Sequence, residues 1–454
     1  MTSTADHVVR LLEAEAPEFS EEALALSFAE QHKDDLRYVA AWSRWHLWTG
    51  ARWEHDETMR AFDHARAVCR TAAKRCNNAA TAKTLASSKT VAAIVNLARV
   101  DRRIAAVTDQ WDADPWLLNT PAGAIDLRAG AMRPHRREDH MTKITAVSPG
   151  GDCPLWRAFL HRVTDDDEAL IDYLQRLVGY SLTGSTQEHA MAFLYGTGAN
   201  GKSVFLSTIA GICGDYHRVA PIEVFTQSNQ DRHPTELAML RGARLVTAVE
   251  TEEGRRWAEA KIKALTGGDR IAARFMRADF FEFIPAFKLI IAGNHKPGLR
   301  SVDEAIRRRL HLVPFTVTIP PEERDPALSD KLKAEWPGIL AWMIEGCLAW
   351  QREGLSPPPA VTAATAAYLE AEDAIAIWID ECCERDPNAW TTSTALFASW
   401  RSWADKAGEF VGASKRFVQA LETRGFHQHR RKTGRGFLGL RLRSTAESDQ
   451  WWNP

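Results

Sequence analysis

The most informative stretch of the sequence reads M-A-F-L-Y over residues 191–195 and continues as Gly196, Thr197, Gly198, Ala199, Asn200, Gly201, Lys202 and Ser203. Its second half matches G-x-x-x-x-G-K-[ST] at every fixed position, straight after a short apolar run typical of a buried parallel strand. Glycines in such a loop let successive backbone N–H groups face a phosphate at the start of a helix. We therefore predict a phosphate-binding loop, or P-loop, formed by these eight residues between a strand and a helix.

Two side chains of this loop have predicted chemical roles. Lys202 is expected to reach the β- and γ-phosphates of a nucleotide, and the Ser203 hydroxyl is expected to ligate Mg²⁺. The predicted cofactors are thus ATP and Mg²⁺, with ATP an assumption because no base-reading pocket is legible. The alternative is a glycine-rich turn with an incidental lysine.

Nucleotide hydrolysis at a P-loop also needs an acid at the end of a neighbouring strand. The apolar run 243–249 is followed by E-T-E-E at residues 250–253. Glu250 is the first choice to hold Mg²⁺ with Ser203, and Glu252 could share its role. The alternative is that this acidic run is a solvated loop or the start of a helix.

Polar and basic residues adjoin two more predicted strands, 287–292 and 310–315. Asn294 follows the first and can position the attacking water without changing the charge of the site. Arg308 and Arg309 precede the second, and a guanidinium from a neighbouring subunit can stabilise charge on a transferring phosphoryl group. A solvated basic patch is the alternative for the arginines.

The bulk properties predict a multidomain protein that folds into real cores. The chain has 454 residues, 45% hydrophobic and 26% charged, with a net charge of −2. Its seven cysteines are scattered without a C-x-x-C pair, which argues against disulfides and zinc. Because the sequence shows no targeting or membrane-spanning pattern, we expect the protein to be located in the cytoplasm of a bacterial host cell. Most of the 17 tryptophans are interpreted as core, with base stacking as the minority alternative.

Texture changes along the chain predict four regions. These are a mainly helical N-terminal domain (1–150) with short strands near 38–53 and 116–133, an α/β domain with a parallel sheet (151–320), a helical connector (321–370) and a C-terminal domain (371–454). The last is expected to hold three helices, one of them at 413–424, and then two short strands around a basic turn.

The motifs, in order, resemble a known family. They are the P-loop, L-V-T-A-V-E-T-E-E, K-A-L-T-G-G-D-R-I-A-A-R, K-L-I-I-A-G-N-H-K-P and A-I-R-R-R-L-H-L-V-P-F, over about residues 190–316. This order is similar to the superfamily 3 helicase core of phage and plasmid primase-helicases, which is related to the poxvirus nucleoside triphosphatase. Upstream, W-L-L-N-T-P-A-G-A-I-D-L-R-A-G resembles the domain before the motor, and the C-terminal segment resembles the family's winged-helix end.

The resemblance implies an AAA+-like P-loop ATPase that assembles as a ring, commonly a hexamer. It makes Glu250 the Walker B acid, Asn294 the polar sensor, and Arg308 or Arg309 the finger acting in trans. It also implies a DNA-touching hairpin in the central channel, formed here by residues 261–285. Its candidate DNA contacts are Lys263, Arg270, Arg274 and Arg277.

A second basic cluster lies in the C-terminal domain. Residues 415–443 contain nine basic residues and a single acid, Glu422. A helix followed by two strands around a K-T-G-R-G turn is typical of a winged helix, and the expected ligand of this domain is DNA, with duplex DNA as one possibility. The alternative is a solvated basic tail. The DNA-contact candidates here are Lys415, Arg416, Arg430, Arg431, Lys432 and Arg435.

The predicted function is an ATP-dependent DNA helicase or translocase that acts as a ring in phage, prophage or plasmid replication. The first alternative is an origin-binding or nucleoprotein-assembly factor that uses ATP as a switch and unwinds little. A small-molecule P-loop kinase is ranked last, since it needs neither an arginine triplet nor a cationic tail. Only about 20 residues precede the first helical domain, so we expect a stand-alone motor with any primase encoded separately.

Overall fold

The computed structural model describes residues 16–227, 235–250, 255–276, 279–299, 302–431 and 434–443, and it gives Glu250 and Thr423 by their backbone only. Three bodies of secondary structure follow one another along the described chain. The first carries two small sheets, the second a five-stranded parallel sheet, and the third a three-stranded antiparallel sheet.

The N-terminal region packs helices against one face of a four-stranded sheet. Its helices are α1 (Glu21–His32), α2 (Arg60–Arg75), α3 (Ala79–Leu85) and α4 (Ser88–Ala98). Its strands, in the order β3-β2-β1-β4, are β1 (Leu36–Val39), β2 (Arg44–Trp48), β3 (Trp53–His55) and β4 (Ala105–Ala106). Apolar side chains of α1, α2 and α4 cover the face that presents Leu36 and Trp45. A tryptophan cluster with Trp53 and Trp111 covers the other face.

A three-stranded meander follows this sheet. Its strands are β5 (Leu117–Thr120), β6 (Gly123–Asp126) and β7 (Ala131–Arg133), paired antiparallel in chain order. The N-terminal region therefore combines helices with two small sheets. The short strands predicted near 38–53 and 116–133 correspond to β1–β3 and β5–β7, whereas the two-residue β4 was not predicted.

The central sheet confirms the predicted parallel α/β domain. Its strands are β8 (Met191–Tyr195), β9 (His217–Val219), β10 (Leu245–Glu250), β13 (Lys288–Gly293) and β14 (Leu310–Pro314). They lie in the order β14-β8-β13-β10-β9, and every neighbouring pair is parallel. The predicted strands at 243–249, 287–292 and 310–315 agree with it to within two residues. Buried parallel strands are legible because they are short, nearly continuous apolar runs.

Helices cover both faces of this sheet. One face packs against α5 (Pro154–Thr164), α6 (Glu168–Ser181), α7 (Lys202–Cys213), α11 (Leu328–Ala334) and α12 (Trp336–Glu353). The other packs against α8 (Thr235–Ala238), α9 (Glu259–Gly267), α10 (Glu304–Arg307) and α13 (Pro359–Ala371). Between α9 and β13, β11 (Ile271–Ala273) and β12 (Phe281–Phe283) pair as an antiparallel hairpin. Because helices cover both faces, the sheet remains accessible at the edge formed by the loops at the carboxyl ends of its strands.

The C-terminal domain has its own core. It comprises α14 (Ala374–Cys382), β15 (Cys383–Thr392), α15 (Ser393–Ala407), α16 (Ser414–Thr423), β16 (Gln428–Arg431) and β17 (Gly434–Leu442). The sheet order is β15-β17-β16, with both pairs antiparallel. Trp378, Trp400 and Phe417 are buried between the helices and the sheet. Three helices and two of the strands were predicted, whereas β15 was not.

No helix among the described residues is both long enough and apolar enough to cross a lipid bilayer.

Candidate nucleotide site and basic surfaces

The glycine-rich loop between β8 and α7 is a close-packed turn. Gly201 caps α7 in the left-handed region, at φ +82°. At Gly196 an added Cβ would lie 1.9 Å from the Phe315 carbonyl oxygen, so a side chain has no room there. The Ile319 N–H donates to the Ala199 carbonyl at 2.8 Å and ties the loop to the chain beyond β14. The first and last glycines of the motif are thus explained by steric contact and backbone geometry.

Lys202, the first residue of α7, is folded back into this loop and is 6% exposed. Its Nζ donates to the Gly196 carbonyl at 2.7 Å, to Asn200 Oδ1 at 3.0 Å and to Asn294 Oδ1 at 3.3 Å. No carboxylate is among these partners, and burial lowers the pKa of the Lys202 ammonium. The Nδ2 of Asn200 is buried and has no hydrogen-bond partner among the described residues. The loop therefore holds a partly desolvated positive charge and an unused donor beside each other, a combination that suits an anion.

Strand pairing brings Asn294 to this lysine. Gly293, the last residue of β13, pairs with Tyr195, the last residue of β8, so the next residue of each strand begins at the same edge of the sheet. The sequence analysis placed both side chains at strand tips, and the structure brings them together. Asn294 is exposed and so remains accessible from solvent.

The predicted acids lie at the same edge, as far as they are described. Glu250 ends β10, and its backbone pairs with Gly293 of β13. Its side chain and the whole of Glu252 lie outside the described residues. Ser203 is exposed in the first turn of α7. Among the described residues no cluster of three or more His, Cys, Asp or Glu is arranged to hold a metal ion.

The two arginines lie at the opposite edge of the sheet. Arg308 and Arg309 immediately precede β14, whose first residue, Leu310, pairs with Met191 at the start of β8. The glycine-rich loop begins after the end of β8, four residues along, which is about 13 Å at 3.3 Å per residue. Neither arginine lies beside the lysine of its own subunit.

Burial separates the two arginines that the sequence left equivalent. Arg309 is 8% exposed, and its Nη1 donates to the Ala305 carbonyl at 2.9 Å, while its Nε is buried without a partner. Burial, followed by the charge of Arg308, lowers the pKa of the Arg309 guanidinium. Arg308 is exposed. Of the two, Arg308 is the one free to reach another molecule without rearrangement.

The β11–β12 hairpin presents both charge and apolar surface. Arg270 lies 3.9 Å from Glu282, and the Arg274 guanidinium stacks 4.8 Å from the ring centre of Phe280. Lys263 belongs to α9 rather than to the hairpin and forms an ion pair with Asp303. Arg277 lies outside the described residues. The sequence analysis missed the exposed apolar side chains around the turn, Phe275, Met276, Phe280 and Ile284.

The C-terminal candidates are exposed in two places. Lys415 and Arg416 lie in the first turn of α16, and Arg430, Arg431 and Arg435 line the β16–β17 hairpin. Among the described residues none of these five forms an ion pair, whereas nearby Arg424 and Arg441 pair with Asp373 and with Asp386, respectively. The Arg431 guanidinium lies 5.1 Å from the ring centre of Trp390, on the strand β15 that sequence reasoning did not find. Lys432 lies outside the described residues.

Comparisons with known proteins agree with this layout. Residues 25–165 match the family model described as D5 N terminal like, and residues 194–309 match a family of unknown function, DUF5906. A protein of Acanthamoeba polyphaga mimivirus named as a "putative helicase" is 25% identical over 349 residues, 71% of this chain and 36% of that protein. Another so named, from Frog virus 3, is 27% identical over 265 residues, 52% of this chain and 26% of that protein.

A solved structure shares the fold. The apo structure of the NrS-1 C-terminal region superposes with a TM-score of 0.50 over 79% of each chain, at 10% sequence identity. The chain spans about a quarter to a third of the length of the curated relatives described above. The family matches lie on the two regions in which the sequence resemblance was found, and together with the viral relatives they confirm the resemblance to the phage-type primase-helicase family.

Proposed function

We propose that this protein is an ATP-dependent DNA helicase or translocase that works as a ring of subunits in phage, prophage or plasmid replication. The observation that carries the proposal is the contact between Lys202 and Asn294 at the tips of two adjacent parallel strands. A buried lysine at the carboxyl edge of a parallel sheet, with no carboxylate among its described partners, is poised for a phosphate ligand. The helicase names of the viral relatives support the same function.

In this proposal the glycine-rich loop binds the ATP phosphates. The Lys202 ammonium exchanges the Gly196 carbonyl and the two asparagine oxygens for β- and γ-phosphate oxygens, and the buried Asn200 Nδ2 gains an acceptor. The donors fit an anion, since both are present and no carboxylate is among their partners in the described part of the chain. The strand order, with β13 between β8 and β10, suits the AAA+-like fold that the sequence resemblance implies.

The residues for hydrolysis are assigned from the same edge. Ser203 and Glu250 would hold Mg²⁺, which neutralises phosphate charge when bound. The Glu250 carboxylate takes the proton of the attacking water, with Glu252 as the alternative, and Asn294 orients that water.

Completion of the site requires a second subunit. Arg308 is about a strand's length from its own loop, so its guanidinium can stabilise the γ-phosphoryl charge only across an interface. Because Arg309 is buried, its proposed role is structural: it holds α10 against β14. A ring, commonly a hexamer in this family, supplies each loop with the Arg308 of its neighbour.

DNA is the proposed polymer. The Arg270 and Arg274 side chains of the hairpin would contact phosphates of a single strand in the channel without reading its sequence. Arg277 and Lys432 are retained as candidates on sequence grounds, and Lys263 is a weaker one because it already pairs with Asp303. Helix α16 and the β16–β17 hairpin would bind duplex DNA as a winged helix does.

A second candidate function is favoured by that exposed basic C-terminal surface. An ATP-switched origin-binding factor would bind specific duplex DNA there, turn over slowly and unwind little. Strand displacement from a forked duplex separates the two functions. The motor predicts ATP-dependent displacement that Lys202→Ala abolishes, whereas the switch predicts duplex binding without displacement, and absence of both would reject the proposal.

A further inference from the structure

The helices of the N-terminal region carry a concentration of positive charge that the proposed function does not use. Residues 60–100 contain eight Lys and Arg but a single acid, Asp63, in a chain whose net charge is −2. Exposed cations lie on α2, on α3 and in α4, and we call them the basic helical face: Arg60, Arg66, Arg70, Lys74, Arg75, Lys83 and Lys89. Such local clustering, rather than total charge, is the footprint of a polyanion-binding surface.

The arrangement of α2 turns these charges outward. Ala61, Ala65, Val68, Cys69 and Ala72 occupy the buried side of the helix. Arg66, Arg70 and Lys74 follow one another at i, i+4 and i+8 and therefore form a row on the opposite side, with successive Cα atoms about 6 Å apart along the axis. The three helices α2, α3 and α4 contact one another, so their exposed cations lie on neighbouring helices of one packed unit.

Most of these cations have no internal partner. Arg66 lies 3.4 Å from Asp63, and both side chains are more than 60% exposed. Within the described part of the chain the structure gives no ion pair or hydrogen bond for the side chains of Arg70, Lys74, Arg75, Lys83 or Lys89. Holding like charges side by side on one surface is unfavourable without a ligand, so the pattern fits an external anion.

The composition of the face distinguishes nucleic acid from a protein partner. Protein–protein interfaces have an apolar, aromatic-rich centre, whereas protein–DNA interfaces are polar and strongly positive. Among the described residues, Met59 and Val100 are exposed at the two ends of this segment, and no large hydrophobic side chain between them is exposed. We propose that the basic helical face binds the phosphate backbone of DNA, as a site separate from the β11–β12 hairpin and from the C-terminal domain.

The test compares two full-length variants with the same change in charge. One carries Arg70→Gln, Lys74→Gln, Arg75→Gln and Lys83→Gln. The control carries Lys33→Gln, Lys331→Gln, Lys333→Gln and Arg352→Gln, four exposed cations already next to acids. Glutamine keeps helix propensity, and a thermal melt checks the fold. The double variant Arg70→Gln, Lys74→Gln serves if the quadruple variant misfolds.

The measurement is binding of fluorescent single-stranded and duplex DNA between 50 and 200 mM salt. The helical-face variant should bind at least tenfold more weakly at low salt than the control, with a salt slope smaller by up to about 3, since each lost phosphate contact removes roughly 0.7 to 0.9. Whichever DNA form shows the larger loss is the form bound. Equal slopes in the two variants would overturn the proposal, as would unchanged DNA binding with lost binding of polyglutamate, which would indicate an acidic protein.

The inference takes DNA as the ligand from the proposed function, yet it can fail separately. Stimulation of ATP hydrolysis by DNA in the unmodified protein tests the motor. A reduced salt slope in the helical-face variant, without stimulation of ATP hydrolysis by DNA, would support DNA binding by the basic helical face and reject the motor. Stimulation by DNA with an unchanged salt slope would support the motor and reject DNA binding by this face.

Discussion

The two edges of the central sheet carry different kinds of positive charge. At the carboxyl edge, Lys202 is buried and holds three oxygen acceptors from its own subunit. At the amino edge, Arg308 is exposed, while Arg309 beside it is buried against Ala305. A preorganised cation binds a ligand within its subunit, and an exposed one is available to a neighbour. In the proposed motor, this difference means that one subunit holds most of the nucleotide site and that a neighbouring subunit completes it.

The largest effect is expected at the carboxyl edge. Lys202→Ala should lower ATP hydrolysis by about 10³-fold or more, because the buried ammonium is the ligand assigned to the phosphates. Steady-state phosphate release measures it. Ser207→Ala, an exposed position on the same helix whose hydroxyl contacts only the Val204 carbonyl among the described atoms, is the matched control. Full activity of Lys202→Ala would remove the loop from the nucleotide site.

The amino edge is tested by separating its two arginines. Arg308→Ala should reduce hydrolysis by about 10³-fold at unchanged thermal stability, as expected for a finger acting on the phosphoryl group. Arg309→Ala should instead destabilise the fold by about 1–3 kcal/mol, because a buried hydrogen bond to the Ala305 carbonyl is lost. Melting curves and phosphate release on the same samples distinguish them. The reverse pattern would assign the finger to Arg309.

Mixing subunits tests whether the edges meet across an interface. Lys202→Ala subunits retain Arg308, and Arg308→Ala subunits retain Lys202, so a mixed ring contains some intact composite sites. Activity should therefore recover on mixing two inactive proteins. No recovery in stably mixed rings would mean that the arginine does not act in trans.

A smaller effect is expected for the acid. Glu250→Gln should bind ATP normally but hydrolyse it about 10²-fold more slowly, since the amide cannot accept the proton of the attacking water. Nucleotide affinity and single-turnover rates separate the two steps. Normal turnover would move the role to Glu252.

The smallest effect is expected at Asn294. Asn294→Ala should lower kcat by about tenfold with little change in KM, because the side chain is assigned to orient water rather than to bind phosphate. A rise in KM alone would show instead that Asn294 mainly holds Lys202 in place.

The features that could be predicted from the sequence are those that depend on short, contiguous stretches of residues. The four longer parallel strands are visible as apolar runs, and the residues that follow them must share one edge of the sheet. This is why Lys202 and Asn294 were both placed near strand tips at that edge. Strand β9 is only His217–Val219, and β15 reads C-E-R-D-P-N-A-W-T-T, too polar and turn-rich to suggest a strand. The burial of Arg309 and the exposure of Arg308 depend on how α10 packs. The sequence cannot distinguish the two positions, because they are adjacent and both are arginine.

The central claim is a DNA-driven, multi-subunit ATPase. Its most direct test is ATP hydrolysis by the unmodified protein with and without single-stranded DNA, with the size of the assembly measured in the same buffer. The account predicts stimulation by DNA from a ring-sized assembly. A stable monomer whose hydrolysis does not respond to DNA would contradict it.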